Sequence, residues 1–177
     1  LDYPKNKIKL LIYCENNNQK KDLTNIQENN EYKGIIIKTV SNKKEALKNC
    51  KEHIKIDKAE YLLLIDKNIN IMVPNMLTNL IKRNKNIVAP FCIDVKIPKP
   101  NFSMKLYSYG NDVLPDFNQI LSMQFKGCWK VPSIESIILF KTNILEELNM
   151  EEYPDNLTKI TKYFLHVDNH ELYGKVE

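Results

Sequence analysis

Five consecutive apolar residues, Tyr61-Leu62-Leu63-Leu64-Ile65, end abruptly on Asp66. Such a run is too short for a helix and shows no alternation, so it predicts a strand buried on both faces. An acidic residue at the carboxyl end of such a strand stands where ligands collect in open α/β sheets. After Asp66-Lys67-Asn68 and a short apolar stretch, Asn75 is placed to cap a helix that buries Met76, Leu77, Leu80 and Ile81. Ile87 to Ala89 then returns as a second buried strand, stopped by Pro90. The unit reads as strand, acidic loop, helix, strand. It predicts an α/β fold with a mostly parallel sheet flanked by helices.

Further strands are expected at residues 8–13, 35–40 and 134–140. Asn42, with Glu45 three residues on, makes a capping box for a helix carrying Ala46, Leu47, Cys50 and Ile54. A mostly solvated helix is expected around Leu23 and Ile26, and Thr142 or Asn143 can cap one bearing Ile144, Leu145 and Leu148. His53 reads as a half-buried structural histidine. Residues 91–126 are loose in pattern, with Pro98, Pro100, Gly110 and Pro115. Within them, Phe102, Met104, Leu106, Tyr107 and Tyr109 are candidates for an apolar interaction surface.

A chain of 177 residues is one domain by length, 1–177, and large enough for a substantial core. Its net charge of +4 is modest and its lysines are spread out, which argues against a nucleic-acid partner. No apolar run approaches a membrane span, so no membrane partner is expected. The chain opens on Leu1 without an initiator Met, and reads as one domain of a larger protein. Cys14, Cys50, Cys92 and Cys128 are far apart and form no Cys-x-x-Cys, which speaks against a zinc or thioredoxin-like site. They are either free core thiols or one or two disulfides. Asn101-Phe102-Ser103 and Asn156-Leu157-Thr158 are glycosylation sequons if the chain enters a secretory lumen. His166 and His170 are four apart, but their segment reads as strand then turn, so the rings are not expected to converge on a metal.

Separate stretches of the chain carry a family resemblance. Tyr61 to Asp66, Pro74, Leu77, Leu80-Ile81 and Asn84 to Pro90 resemble the glycosyltransferase-like modules of procollagen lysyl hydroxylases and procollagen galactosyltransferases. These have the GT-A fold, a Rossmann-like α/β sheet. Leu1-Asp2-Tyr3-Pro4-Lys5 resembles the opening of the same modules. Gly127-Cys128-Trp129-Lys130-Val131-Pro132 is similar to their Gly-x-(Trp/Phe)-x-Val-Pro, and Asn169 to Gly174 to their Asn-x-x-x-(Phe/Tyr)-Gly. The resemblance implies that a first strand and helix of the family fold precede this chain's start and are lacking here.

In active members an Asp-x-Asp holds a divalent metal against the sugar-nucleotide diphosphate. Here the triplet is the degenerate Asp66-Lys67-Asn68. A neutral amide replaces a carboxylate where a hard cation wants anionic oxygen, so metal affinity is expected to fall sharply. The resemblance therefore implies an accessory, catalytically weak or silent domain of a collagen-modifying lysyl hydroxylase or hydroxylysine glycosyltransferase. No cofactor is expected for such a domain. Its partners would be neighbouring domains of the parent chain, and procollagen. The alternative is an active transferase moving galactose or glucose from a UDP-sugar to collagen hydroxylysine. It would use Mn²⁺ on Asp66, with Asp155 or Asp168 as further ligands, and Trp129 and Asn101 as substrate contacts. A generic α/β domain unconnected with collagen ranks last. The family role would place the domain in the secretory lumen.

Overall fold

The computed structural model describes residues 8–13, 30–33, 35–40, 59–65, 69–97, 99–103, 117–131, 133–134, 137–144 and 165–176. The opening block, the expected helices around Leu23 and Ala46, His53, Cys14, Cys50, Asp66-Lys67-Asn68 and Asp155 all lie outside these residues. So do Met104, Leu106, Tyr107, Tyr109, Leu145, Leu148 and the second sequon at Asn156.

The apolar run before Asp66 is β3 (Tyr61–Ile65), and its last four side chains are buried. It lies inside a seven-stranded sheet with β1 (Ile8–Tyr13), β2 (Ile36–Val40), β5 (Ile87–Pro90), β9 (Cys128–Val131), β11 (Ile137–Lys141) and β12 (Leu165–Asp168). The strand order is β2-β1-β3-β11-β5-β12-β9. β1 pairs in parallel with β2 and β3, and β12 in parallel with β5. β11 runs against both β3 and β5, and β9 against β12. Thus β2, β1, β3, β5 and β12 share one direction, and their carboxyl ends share one edge. Instead of one strand over 134–140, β10 (Ser133–Ile134) pairs with β8 (Phe102–Ser103) and only β11 joins the large sheet.

Side chains alternate across a strand, so an unbroken apolar strand must feed two cores. Leu62 and Leu64 on β3, Ile87 and Ala89 on β5, and Ile138 and Phe140 on β11 pack on one face. That face is closed by Phe102, Ile120 and Ile134, so β8, β10 and the short helix α2 (Phe117–Leu121) cover it. Leu63, Ile65, Val88, Ile137 and Leu139 pack on the other, against Met76, Leu77 and Leu80 of α1 (Met76–Lys82). A smaller sheet of β4 (Ile69–Ile71), β13 (Gly174–Val176), β6 (Cys92–Asp94) and β7 (Lys99–Pro100) adds Ile69, Cys92 and Val176 to this second core.

Two local expectations need correction. Asn75 occupies the position before α1 but makes no side-chain capping bond. The carboxylate of Glu31, in a 3-10 turn (Asn30–Tyr32), accepts instead from Thr78 N–H at 2.7 Å and Leu77 N–H at 3.1 Å. A full negative charge at a helix N-terminus satisfies two orphan donors and opposes the helix dipole, which a neutral Asn does less well. Second, residues 91–126 are not uniformly loose, since they supply β6, β7, β8 and α2. Phe102 is 4% exposed and its ring lies 6.0 Å from that of Phe91, so it belongs to the core and not to an interaction surface.

Candidate functional site at the carboxyl edge of the sheet

β5 and β12 are paired so that Pro90 stands beside Asp168, and β12 pairs with β9 so that Asp168 stands beside Cys128. The residues that follow these strands form the carboxyl edge. Asn169 is completely buried there. Its Oδ1 accepts from Gly127 N–H at 2.7 Å and from the Trp129 indole N–H at 2.9 Å. Its Nδ2 donates to the carbonyls of Ile120 at 2.9 Å and Phe125 at 2.8 Å. One amide thus fastens α2, the segment entering β9 and the end of β12.

The neighbouring motif residues fit around this clamp. A Cβ on Gly127 would stand 3.0 Å from the Trp129 ring, tighter than ordinary contact, so a side chain there would have to displace the indole by a few tenths of an ångström. Gly174 is tighter still, because a Cβ there would meet the Asn70 carbonyl oxygen at 2.8 Å. Asn101 is 3% exposed: its Oδ1 accepts from Cys92 N–H at 2.9 Å and its Nδ2 donates to the Pro90 carbonyl at 2.9 Å. That nitrogen is the atom a glycan would occupy, so the sequon at Asn101 is closed in the folded chain. Both residues suggested as substrate contacts, Trp129 and Asn101, therefore have their polar atoms bound within the protein.

Asp168 is also completely buried. Its Oδ2 accepts from Arg83 Nε–H and from the Tyr173 hydroxyl, both at 2.8 Å. Its Oδ1 accepts from His170 N–H at 3.2 Å and from His170 Nδ1–H. A buried carboxylate with charged and neutral donors on both oxygens is a satisfied one. Burial works against the Arg83 charge, but the hydrogen bond and the charge of Asp168 outweigh it and raise the guanidinium's pKa. Burial first, and then the Asp168 charge, raise the pKa of the Tyr173 phenol. Cys92 and Cys128 are free thiols. Burial pushes Cys92 up to about 12. Burial with the Asp168 charge pushes Cys128 up to about 11, opposed by Lys85 and Arg83.

Asp66, Asn68 and Asp155 lie outside the described residues. Asp168 would have to break an existing bond to bind a cation. Among the described residues no three His, Cys, Asp or Glu side chains gather to hold one. His166 is on β12 and His170 in the turn after it, as expected of strand then turn. Arg83 was not anticipated, although the sequence held a signal. It is the sole arginine in a chain with 26 Lys and Arg, and a planar fork pairs with a buried carboxylate better than an ammonium.

The fold is a mixed α/β sheet of the GT-A-like, Rossmann-like class. Residues 15–169 match the model of the glycosyltransferase family 25 N-terminal domain, and the chain belongs to that family. It is 30% identical to the multifunctional procollagen lysine hydroxylase and glycosyltransferase of Caenorhabditis elegans, over 98% of this chain and 26% of that protein. The chain thus spans about a quarter of the length of that relative. A197 from STIV shares the fold, with a TM-score of 0.54 at 10% identity, over 80% of this chain and 68% of that one. As the sequence motifs implied, the domain is glycosyltransferase-like and related to a collagen-modifying enzyme.

Proposed function

We propose that the domain is an accessory, catalytically silent module of a collagen-modifying lysyl hydroxylase and glycosyltransferase. It would serve by packing against neighbouring domains of its parent chain and by helping to hold procollagen. One observation carries this reading: the motif residues at the carboxyl edge, Asn101, Gly127, Trp129, Asn169, Tyr173 and Gly174, are used for packing and internal hydrogen bonding. A module that keeps such residues while Asn68 replaces a metal-binding carboxylate has kept its fold under less demand for transfer.

The competing reading, a Mn²⁺-dependent UDP-sugar transferase acting on collagen hydroxylysine, draws on the family's name and on Asp66. Asp168 is a poor further ligand for it, being buried and already bonded at both oxygens. Calorimetric titration of the protein with UDP and Mn²⁺ separates the two. The accessory role predicts weak or no metal-dependent binding and no turnover of UDP-galactose or UDP-glucose. Tight, stoichiometric, Mn²⁺-dependent UDP binding would overturn it. Asn68→Asp should restore affinity if that carboxylate is the one missing ligand.

A further inference from the structure

We propose that Asn101 is a glycan acceptor in the unfolded chain only, so that folding and N-glycosylation compete for one side-chain nitrogen. The setting, a secretory lumen, rests on the accessory role proposed above, while the competition rests on the fold.

All three residues of the sequon Asn101-Phe102-Ser103 are engaged in the structure. Asn101 Nδ2 donates to the Pro90 carbonyl and Oδ1 accepts from Cys92 N–H, while the Asn101 N–H donates to the Cys92 carbonyl. Phe102 is buried in the first core, against Phe91. Ser103 pairs with Ser133 in the ladder between β8 and β10. Transfer requires Nδ2 to attack the anomeric carbon of a lipid-linked diphospho-oligosaccharide. A C–N bond forms, the anomeric C–O bond breaks, the lipid diphosphate leaves, and Nδ2 gives up one proton. The folded chain offers that nitrogen to a carbonyl and not to solvent. A glycan attached first would bring saccharide hydroxyls against the buried Pro90, Cys92 and Phe102, where they find neither water nor room. Such a chain cannot close β6 and β7 around Asn101.

Synthesis from the N-terminus opens the competition. Pro90 and Cys92 precede Asn101, but the strands that hold them follow it, since β12 pairs with β5 and β13 with β6. Phe91 N–H bonds the Asp168 carbonyl, and Tyr173 N–H bonds the Phe91 carbonyl. At about 5–20 residues per second, the sequon is made several seconds before those strands.

The test delivers the chain to the lumen directly, so its outcome is independent of the accessory role. The protein is expressed behind a cleaved secretory leader in eukaryotic cells. Asn101 occupancy is mapped by peptide mass spectrometry in the protease-resistant soluble fraction and in the aggregate. The aggregate should carry the glycan and the soluble fraction none. Ser103→Ala removes the acceptor motif and leaves the Asn101 side chain in place. Its soluble yield relative to the unaltered chain should be higher in these cells than in a bacterial host, in proportion to the share of unaltered chains found glycosylated. A purely structural effect of Ser103 would move the yield equally in both hosts. A glycan on Asn101 in the soluble fraction, no glycan on it in either fraction, or equal relative yields of Ser103→Ala in the two hosts would each overturn the proposal.

Discussion

Asn169 accepts two hydrogen bonds and donates two, the full capacity of a primary amide. Substituting it therefore has a sharp expected outcome. Asn169→Ala leaves the Trp129 indole N–H, the Gly127 N–H and the Phe125 carbonyl without this partner, while the Ile120 carbonyl keeps its bond from Met123 N–H. A loss of about 2–4 kcal/mol is expected, in the range of a broken buried network. Asn169→Asp is nearly isosteric but turns an acceptor towards the Ile120 and Phe125 carbonyls, and should be no better. Urea unfolding followed by Trp129 fluorescence checks both, and a change under about 0.5 kcal/mol would show that water replaces the clamp. Gly174→Ala should cost about 1–3 kcal/mol, because its methyl would overlap the Asn70 carbonyl. At this scale the sequence marked the right residues but not what they do. Asn169 and Gly174 stood out through one motif, and Trp129, the sole tryptophan, through another. That one amide joins Trp129 to Gly127 depends on a pairing across 40 residues that no local pattern reveals.

Elements were more legible where their physics is local. The strands at 8–13, 61–65 and 87–90 and helix α1 follow from apolar runs and periodicity. The short strands β4, β6, β7 and β8 were missed because two or three residues carry no period, and their pairing is supplied by distant partners. The cap of α1 was misread for the same reason, since Glu31 lies 46 residues from the amide it accepts from. This difference can be measured. Glu31→Gln should destabilise the protein by about 0.5–2 kcal/mol, losing a charged cap. Asn75→Ala should have almost no effect, because its side chain makes no capping bond. Equal losses in the two variants would return the cap to Asn75. The end of α1 follows the sequence more closely: Asn84 adopts φ 52°, a left-handed conformation that Asn tolerates, and its N–H bonds the Ile81 carbonyl.

Across the whole molecule, the large sheet separates two cores, and the smaller sheet closes one of them with Ile69, Cys92 and Val176, beside Tyr173. Three groups on that side are kept neutral by their surroundings: the buried Cys92 and Tyr173 and the half-buried Cys128. Each has a folded-state pKa raised above its unfolded value. In the unfolded chain the thiols lose their protons near pH 9, while in the fold Cys92 holds its proton to about 12 and Cys128 to about 11. Between those limits the folded state binds more protons than the unfolded state, so stability must fall as pH rises. The stabilisation is fully present below the unfolded pKa and is lost as pH passes through the folded one. Tyr173 acts in the same direction, starting from the ordinary phenol range near pH 10. The protein should therefore be alkali-labile, its urea midpoint falling steadily from about pH 9 upwards. Cys92→Ala will be less stable at neutral pH, because it opens a small cavity in the second core. Its distinguishing property should be a shallower decline between about pH 9 and 12, since one of the linked protons is gone. Parallel declines in the two proteins would mean that Cys92 is solvated by local opening before the fold is lost.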